Sequence, residues 1–399
     1  MENKYNFAWP VTVMSYEDYI TLKECIDKNQ NKIKNKSLVI FGAGIRGSVF
    51  AAILEKENYP FFYFADNNSK KWGGYINSHP ILPLKEVENN VDKFAIIISV
   101  ENCDSIKTQL SNYGYIEDVN FFCIKTNIYN NYLNEFKRKT PFKVLALGDC
   151  GLSQISINDI DPENLGSMIR RTIGDNYTKV LAMHGMGMRS FYTVYKTQIE
   201  MGIIPEVLVL MINFEVFTGK HHILPRTQHV ELFKLLDNFV GSAFDELREY
   251  VKIVEERFAK LKLDVFNSSD QSVNIDQNSV LVFRKNYMYR LRGECEDVEY
   301  LLKILDFSIQ EGIKVLPFIP PANYMYAEQL LGEKFKNAYE DNRKKMISLI
   351  NDKGFEVLDL SYILTSDCFA DKKTIDETAN YKGRLIVLDK IVESLRTMI

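Results

Sequence analysis

Between Lys143 and Ser153 the chain reads Lys-Val-Leu-Ala-Leu-Gly-Asp-Cys-Gly-Leu-Ser, an apolar run that breaks abruptly into a glycine-flanked turn. A short, unbroken apolar run bounded by such a turn reads as a strand buried on both faces, as in a parallel sheet. Gly148-Asp149-Cys150-Gly151 then forms the tight turn at its carboxyl end. In open α/β sheets, ligands bind in the crevice outside those ends. The thiol of Cys150 is therefore displayed where chemistry is done.

The pattern recurs along the chain. Lys179–Met183, Val207–Met211, Lys314–Phe318 and Phe355–Leu358 bring the candidate parallel strands of this region to five, with helices between them, the longest over Gln228–Lys262. Helices on both faces of that sheet make a three-layer α/β/α sandwich. Upstream, Leu38–Phe41, Phe61–Ala65, Phe94–Ser99 and Val119–Phe122 read as strands, with a helix from Ser48 to Glu55. A length of 399 residues exceeds one ordinary core and predicts two domains. The expected division is an N-terminal helical segment over 1–35, opened by the capping box Ser15-Tyr16-Glu17-Asp18, and a βαβ domain over 36–123. A short helix or linker over 124–141 follows, with the boundary near Pro141, and then an α/β domain over 142–399.

Composition excludes several classes. A net charge of −4 gives no general attraction to nucleic acid or acidic membranes. The N-terminal Met-Glu-Asn-Lys-Tyr-Asn-Phe has no signal-peptide core behind it, and no apolar run approaches the span of a bilayer. Cys25, Cys103, Cys123, Cys150, Cys295 and Cys368 form no CxxC pair, which argues for reduced thiols in a cytoplasm and against a zinc knuckle. A cytoplasmic protein without membrane insertion is expected, with an oligomer left open.

The strand at Leu38–Phe41 runs into Gly42-Ala43-Gly44-Ile45-Arg46-Gly47, and Asp66 ends the next strand. GxGxxG alone is weak, but here it follows a strand, opens a helix and precedes an acidic residue by about twenty positions. Gly42 allows the tight turn, Gly44 lets a pyrophosphate approach, and Gly47 lets the helix pack on the strand. The helix N-terminus, with Arg46 in its first turn, offers donors to phosphates, and Asp66 an acceptor to a ribose hydroxyl. The plain alternative is a sharp strand-to-helix turn without a ligand.

The phrase Phe-Ala-Asp-Asn-Asn-Ser-Lys-Lys-Trp-Gly-Gly, with Pro80-Ile81-Leu82-Pro83-Leu84 after it, resembles the small Rossmann-like domains attached to sugar-modifying enzymes. These are the N-terminal domains of bacterial sugar O- and N-acetyltransferases and the C-terminal domains of sugar C-methyltransferases. The resemblance covers residues 36–123. It implies a bound nucleotide or nucleotide-sugar rather than redox use of NAD.

Residues 142–399 resemble the SGNH (GDSL-type) hydrolases at four strand ends. Gly148-Asp149-Cys150 matches the block whose serine is the nucleophile, with Cys150 in the serine slot. His184-Gly185-Met186-Gly187-Met188 matches the glycine turn that helps hold an oxyanion, and Asn213 matches the asparagine of Gly-x-Asn-Asp. Asp376-Glu377-Thr378-Ala379-Asn380-Tyr381-Lys382-Gly383-Arg384 matches the last block, with Thr378 or Ala379 where the family has its histidine. The resemblance implies an oxyanion hole from the N–H of Cys150, that of Gly185 or Gly187, and the Asn213 amide. A thiol with a pKa near 8.5 already supplies a few per cent thiolate at neutral pH, and a following helix favours it further. The plain alternative for Cys150 is an inert small residue in a degenerate pocket.

His184 is the candidate replacement base. His221, His222 and His229 cluster in spacing that matches no metal site, so no metal is expected and a solvated loop is the simpler reading. Arg189, Arg226 and Arg284 are candidate partners for phosphate or carboxylate, against the simpler reading of surface charge. Together the resemblances imply an acyl-ester hydrolase or acyltransferase acting on a carbohydrate or nucleotide-sugar in bacterial surface-polysaccharide (capsule) assembly. The alternatives are a scaffold that keeps both pockets without catalysis, and a transferase of different chemistry.

Overall fold

A computed structural model describes residues 13–100, 103–125, 128–139, 142–218, 236, 280, 283, 284, 286–291, 293, 295–373 and 378–399. Its contacts divide the chain into two compact units: Met1–Ile128 with Ile155–Pro162, and Tyr129–Gln154 with Glu163–Ile399.

In the first unit β1 (Val13–Ser15) leads into α1 (Tyr16–Ile33), whose N-cap Ser15 accepts from Asp18 N at 3.0 Å. β2 (Ser37–Phe41), α2 (Ile45–Lys56), β3 (Phe61–Ala65), β4 (Tyr75–Ile76), β5 (His79–Leu82), β6 (Phe94–Ile98), α3 (Asp104–Asn112) and β7 (Phe121–Cys123) follow. The sheet order is β4-β5-β3-β2-β6-β7, parallel except for β4. Counted along the chain, its parallel strands run 3-2-1-4-5, the doubly wound order that reverses direction beside the first strand. Leu38 and Ile40 of β2 pack with Leu22, Phe50 and Leu54 of α1 and α2, while Val39 and Phe41 face Ile106 and Leu110 of α3. That two-residue period is what a strand with helices on both faces requires.

Two features of this unit escaped the sequence. β4 and β5 form an antiparallel pair at the sheet edge, with Pro80 of β5 opposite Tyr75 of β4. Cys103 and Cys123 are joined by a disulfide, a pairing that the sequence did not single out. The parallel register that pairs Ile98 with Cys123 brings the end of β7 beside the chain leaving β6, and so gathers two sulfurs twenty residues apart.

The stretch expected as a helix or linker is α4 (Ile128–Lys137), which buries Tyr132, Leu133 and Phe136; Pro141 lies outside the described residues. From Tyr129 onward it belongs to the second unit. There β8 (Val144–Gly148), α5 (Cys150–Ser153), α6 (Leu165–Ile173), β10 (Thr178–Ala182), α7 (Met188–Glu200), β11 (Val207–Met211), β12 (Lys314–Ile319) and β13 (Leu358–Asp359) are placed, while β9 (Gln154–Ser156), whose Ile155 and Ser156 belong to the first unit, pairs with β1 of that unit. The five strands are all parallel in the order β10-β8-β11-β12-β13. In chain order that is 2-1-3-4-5, with the reversal beside β8. Val144, Ala146, Val207, Val209, Leu316 and Phe318 bury one face against α6 and the helix Tyr381–Arg396. The fifth strand, expected over Phe355–Leu358, is Leu358–Asp359 and shares only Leu358 with that run, and the helix expected over Gln228–Lys262 lies outside the described residues except at Leu236. Among the described residues no helix is long and apolar enough to cross a membrane.

Candidate functional site

The register of the second sheet sets three chain segments level at its carboxyl edge. Gly148 pairs with Ala182 and Leu147 with Leu210, so Cys150, His184 and Asn213 each follow their strand at the same height. The strand order reverses between β8 and β11, the place where open α/β sheets bind ligands.

Asp149 organises the turn. It is 1% exposed and N-caps α5, its Oδ1 accepting from Gly151 N at 3.0 Å and its Oδ2 from Asn213 Nδ2 at 2.8 Å. Asn213 is equally buried, and its Oδ1 accepts from Glu215 N at 2.9 Å. An amide expected to serve an oxyanion thus commits one N–H to a carboxylate. The Cys150 thiol donates to Asp149 Oδ1 at 3.7 Å. The helix that follows is the four-residue α5, too short to supply the macrodipole expected to help the thiolate.

Gly185, at φ +79°, makes the turn after β10 in a region that disfavours a side chain, and Gly187 precedes α7 as its N-cap. The first N–H of α7, that of Met188, donates to buried Asp297 Oδ1 at 3.2 Å. His184 is exposed, with Nδ1 3.2 Å from Gln154 Nε2. Thr378 is 2% exposed and donates through Oγ1 to Gln154 Oε1 at 3.3 Å. The backbone N–H of Gln154 bonds Cys150 O, so one amide side chain, four residues past the thiol, joins the glycine turn to the last block. No motif marks Gln154, and only its place one helical turn after Cys150 hints at it. Asp376 lies outside the described residues. Asn380 N-caps the last helix, accepting from Gly383 N at 3.1 Å, which accounts for the Asn-x-x-Gly spacing without chemistry.

Of the arginines, Arg189 pairs with Glu296 at 2.6 Å and lies over the Tyr300 ring, which answers its charge within the protein. Arg284 is exposed. Arg226, His221, His222 and His229 lie outside the described residues. No group of three or more His, Cys, Asp or Glu side chains able to hold a metal occurs among the described residues.

In the first unit the glycine loop sits at the corresponding reversal, beside β2. Gly42 has φ +108°, and a Cβ on Gly47 would lie 1.9 Å from Gly42 O, so α2 meets the turn with no room for a side chain. A Cβ on Gly44 would meet nothing within 4 Å. Asp66 turns inward: Oδ2 accepts from Ala43 N at 2.9 Å and Lys71 Nζ at 2.8 Å, and Oδ1 from Asn68 N at 2.8 Å. Arg46 donates to Ser99 O at 3.2 Å and Ile124 O at 2.9 Å, and pairs with Asp18 at 3.3 Å. Both side chains hold the loop together, and Lys71 is a cation beside it that the sequence did not single out.

The fold and these turns define a mixed α/β protein of two units, each carrying a polar turn where its parallel sheet reverses. No family model matches the sequence, and no curated protein matches it. Among solved structures, the crystal structure of RSP, a Rex-family repressor, is similar to 28% of this chain, at 16% identity and a TM-score of 0.23. The match spans 64% of that chain, less than two thirds of its length.

Proposed function

We propose that the second unit is an SGNH-like acyl-ester hydrolase or acyltransferase acting on a carbohydrate or nucleotide-sugar of bacterial surface-polysaccharide assembly. The first unit would hold a nucleotide or nucleotide-sugar, or NAD, at Gly42–Gly47. The observation that carries the reading is the buried Asp149–Asn213 bond of 2.8 Å at the base of the Cys150 turn. It holds the Asn213 amide against the residue before Cys150, which supports the reading. The carbohydrate comes from the resemblances alone.

In this reading Cys150 gives its proton to solvent, and its sulfur attacks the acyl carbon. The acyl C–O bond breaks, and the departing alkoxide takes a proton from water. Water or an acceptor hydroxyl then cleaves the thioester, returning the thiol. The N–H of Cys150, that of Gly185 or Gly187, and the Asn213 amide would stabilise the developing oxyanion. Incubation with an activated ester, followed by peptide mass spectrometry, tests this. An acyl adduct confined to Cys150 is expected, with turnover lowered about a hundredfold or more in Asn213→Ala and nearly lost in Cys150→Ser. Absence of any adduct, with full biological activity in Cys150→Ala, refutes it. Thr378 in the histidine slot favours the second reading, a non-catalytic binding or scaffold protein.

A further inference from the structure

The Gln154 side chain spans two groups with opposite needs. Its Oε1 lies 3.3 Å from the Thr378 hydroxyl and its Nε2 3.2 Å from His184 Nδ1. A primary amide accepts at one end and donates at the other. With the carbonyl end taking the Thr378 proton, the NH2 end faces the imidazole. Nδ1 must then carry a lone pair, and the proton of a neutral His184 resides on Nε2.

We infer that Gln154 is a positioning residue that holds His184 as its Nε2–H tautomer, so that His184 serves the site as a neutral hydrogen-bond donor and not as the base. A histidine acting as base through Nε2 has the reverse arrangement, with Nδ1–H held by an acceptor. Thr378, buried where the resemblance places the histidine, instead anchors the amide. His184 stands level with Cys150 one strand away, and on the acyl-transfer reading its Nε2–H is the group it would offer a substrate oxygen. A neutral imidazole that polarises a carbonyl is a known catalytic role. A thiol nucleophile tolerates this, since it ionises without a dedicated base. The substrate oxygen rests on the acyl-transfer reading; the tautomer does not.

The test is 15N NMR of the imidazoles in the full chain under conditions where histidine is neutral, with His184 assigned by the signal lost in His184→Gln. Wild type should show Nε2 protonated and Nδ1 bare. Gln154→Glu puts a carboxylate acceptor against Nδ1 and should invert the pattern, while Gln154→Leu should give a mixture. Wild-type protein with Nδ1 protonated overturns the inference without any variant, as does a tautomer indifferent to both substitutions. If the tautomer is as inferred and no acyl-Cys150 forms, the acyl-transfer reading fails and the positioning role stands.

Discussion

Lys179 shows what a buried cation does to this fold. It has no accessible surface, and its Nζ donates to Phe136 O at 3.1 Å, Arg138 O at 2.8 Å and Gln198 Oε1 at 2.6 Å, tying the end of α4 to β10 and α7. Burial lowers its pKa from 10.5 to about 8, with Glu135 opposing. Because the folded value lies below the unfolded one, the unfolded chain binds more protons between them. The lysine's contribution to stability is therefore fully present above 10.5 and is lost as pH falls through about 8. Lys179→Met strips three acceptors of their donor, a loss of about 1–3 kcal/mol for each that stays buried without a partner. Denaturant unfolding of both proteins should show the wild-type advantage widening as pH climbs from about 8 to 10.5. A constant difference across that range would contradict the assignment.

At the scale of elements, the β2–α2 junction separates two kinds of glycine. Gly47→Ala drives a methyl into Gly42 O, a contact with rigid backbone that only displacement of α2 relieves. A loss of about 1–3 kcal/mol, typical of overpacking, is expected. Gly44 borders open space, so Gly44→Val should fold with nearly unchanged stability and lose nucleotide binding, because it fills the volume the phosphates need. Thermal melts and calorimetry with nucleotide-sugars and dinucleotides check both. Equal binding by Gly44→Val leaves the loop with only its structural role. The same junction shows where sequence reasoning ends. The glycines were legible because close approach needs that residue type, whereas the inward turn of Asp66 and Arg46 depends on Lys71, Ser99 and Ile124, partners that only the folded sheet supplies.

For the whole molecule, runs such as Val144–Leu147 and Val207–Met211 were legible as strands because burial on both faces leaves no polar position in them. The short β4–β5 pair, the Cys103–Cys123 disulfide and the Gln154 bridge were not, since each depends on register between distant segments. The central claim is that Cys150, where the second sheet reverses, is a nucleophile, and alkylation by iodoacetamide at neutral pH, resolved by peptide, tests it most directly. The comparison is with the other cysteines outside the disulfide: Cys25, whose thiol burial pushes up; Cys295, which donates to Phe217 O at 3.5 Å; and Cys368, which is buried. The account predicts that Cys150 is alkylated fastest of the four, and that activity falls in step with its labelling. Labelling of Cys150 no faster than that of the other three, with activity surviving its modification, would contradict it.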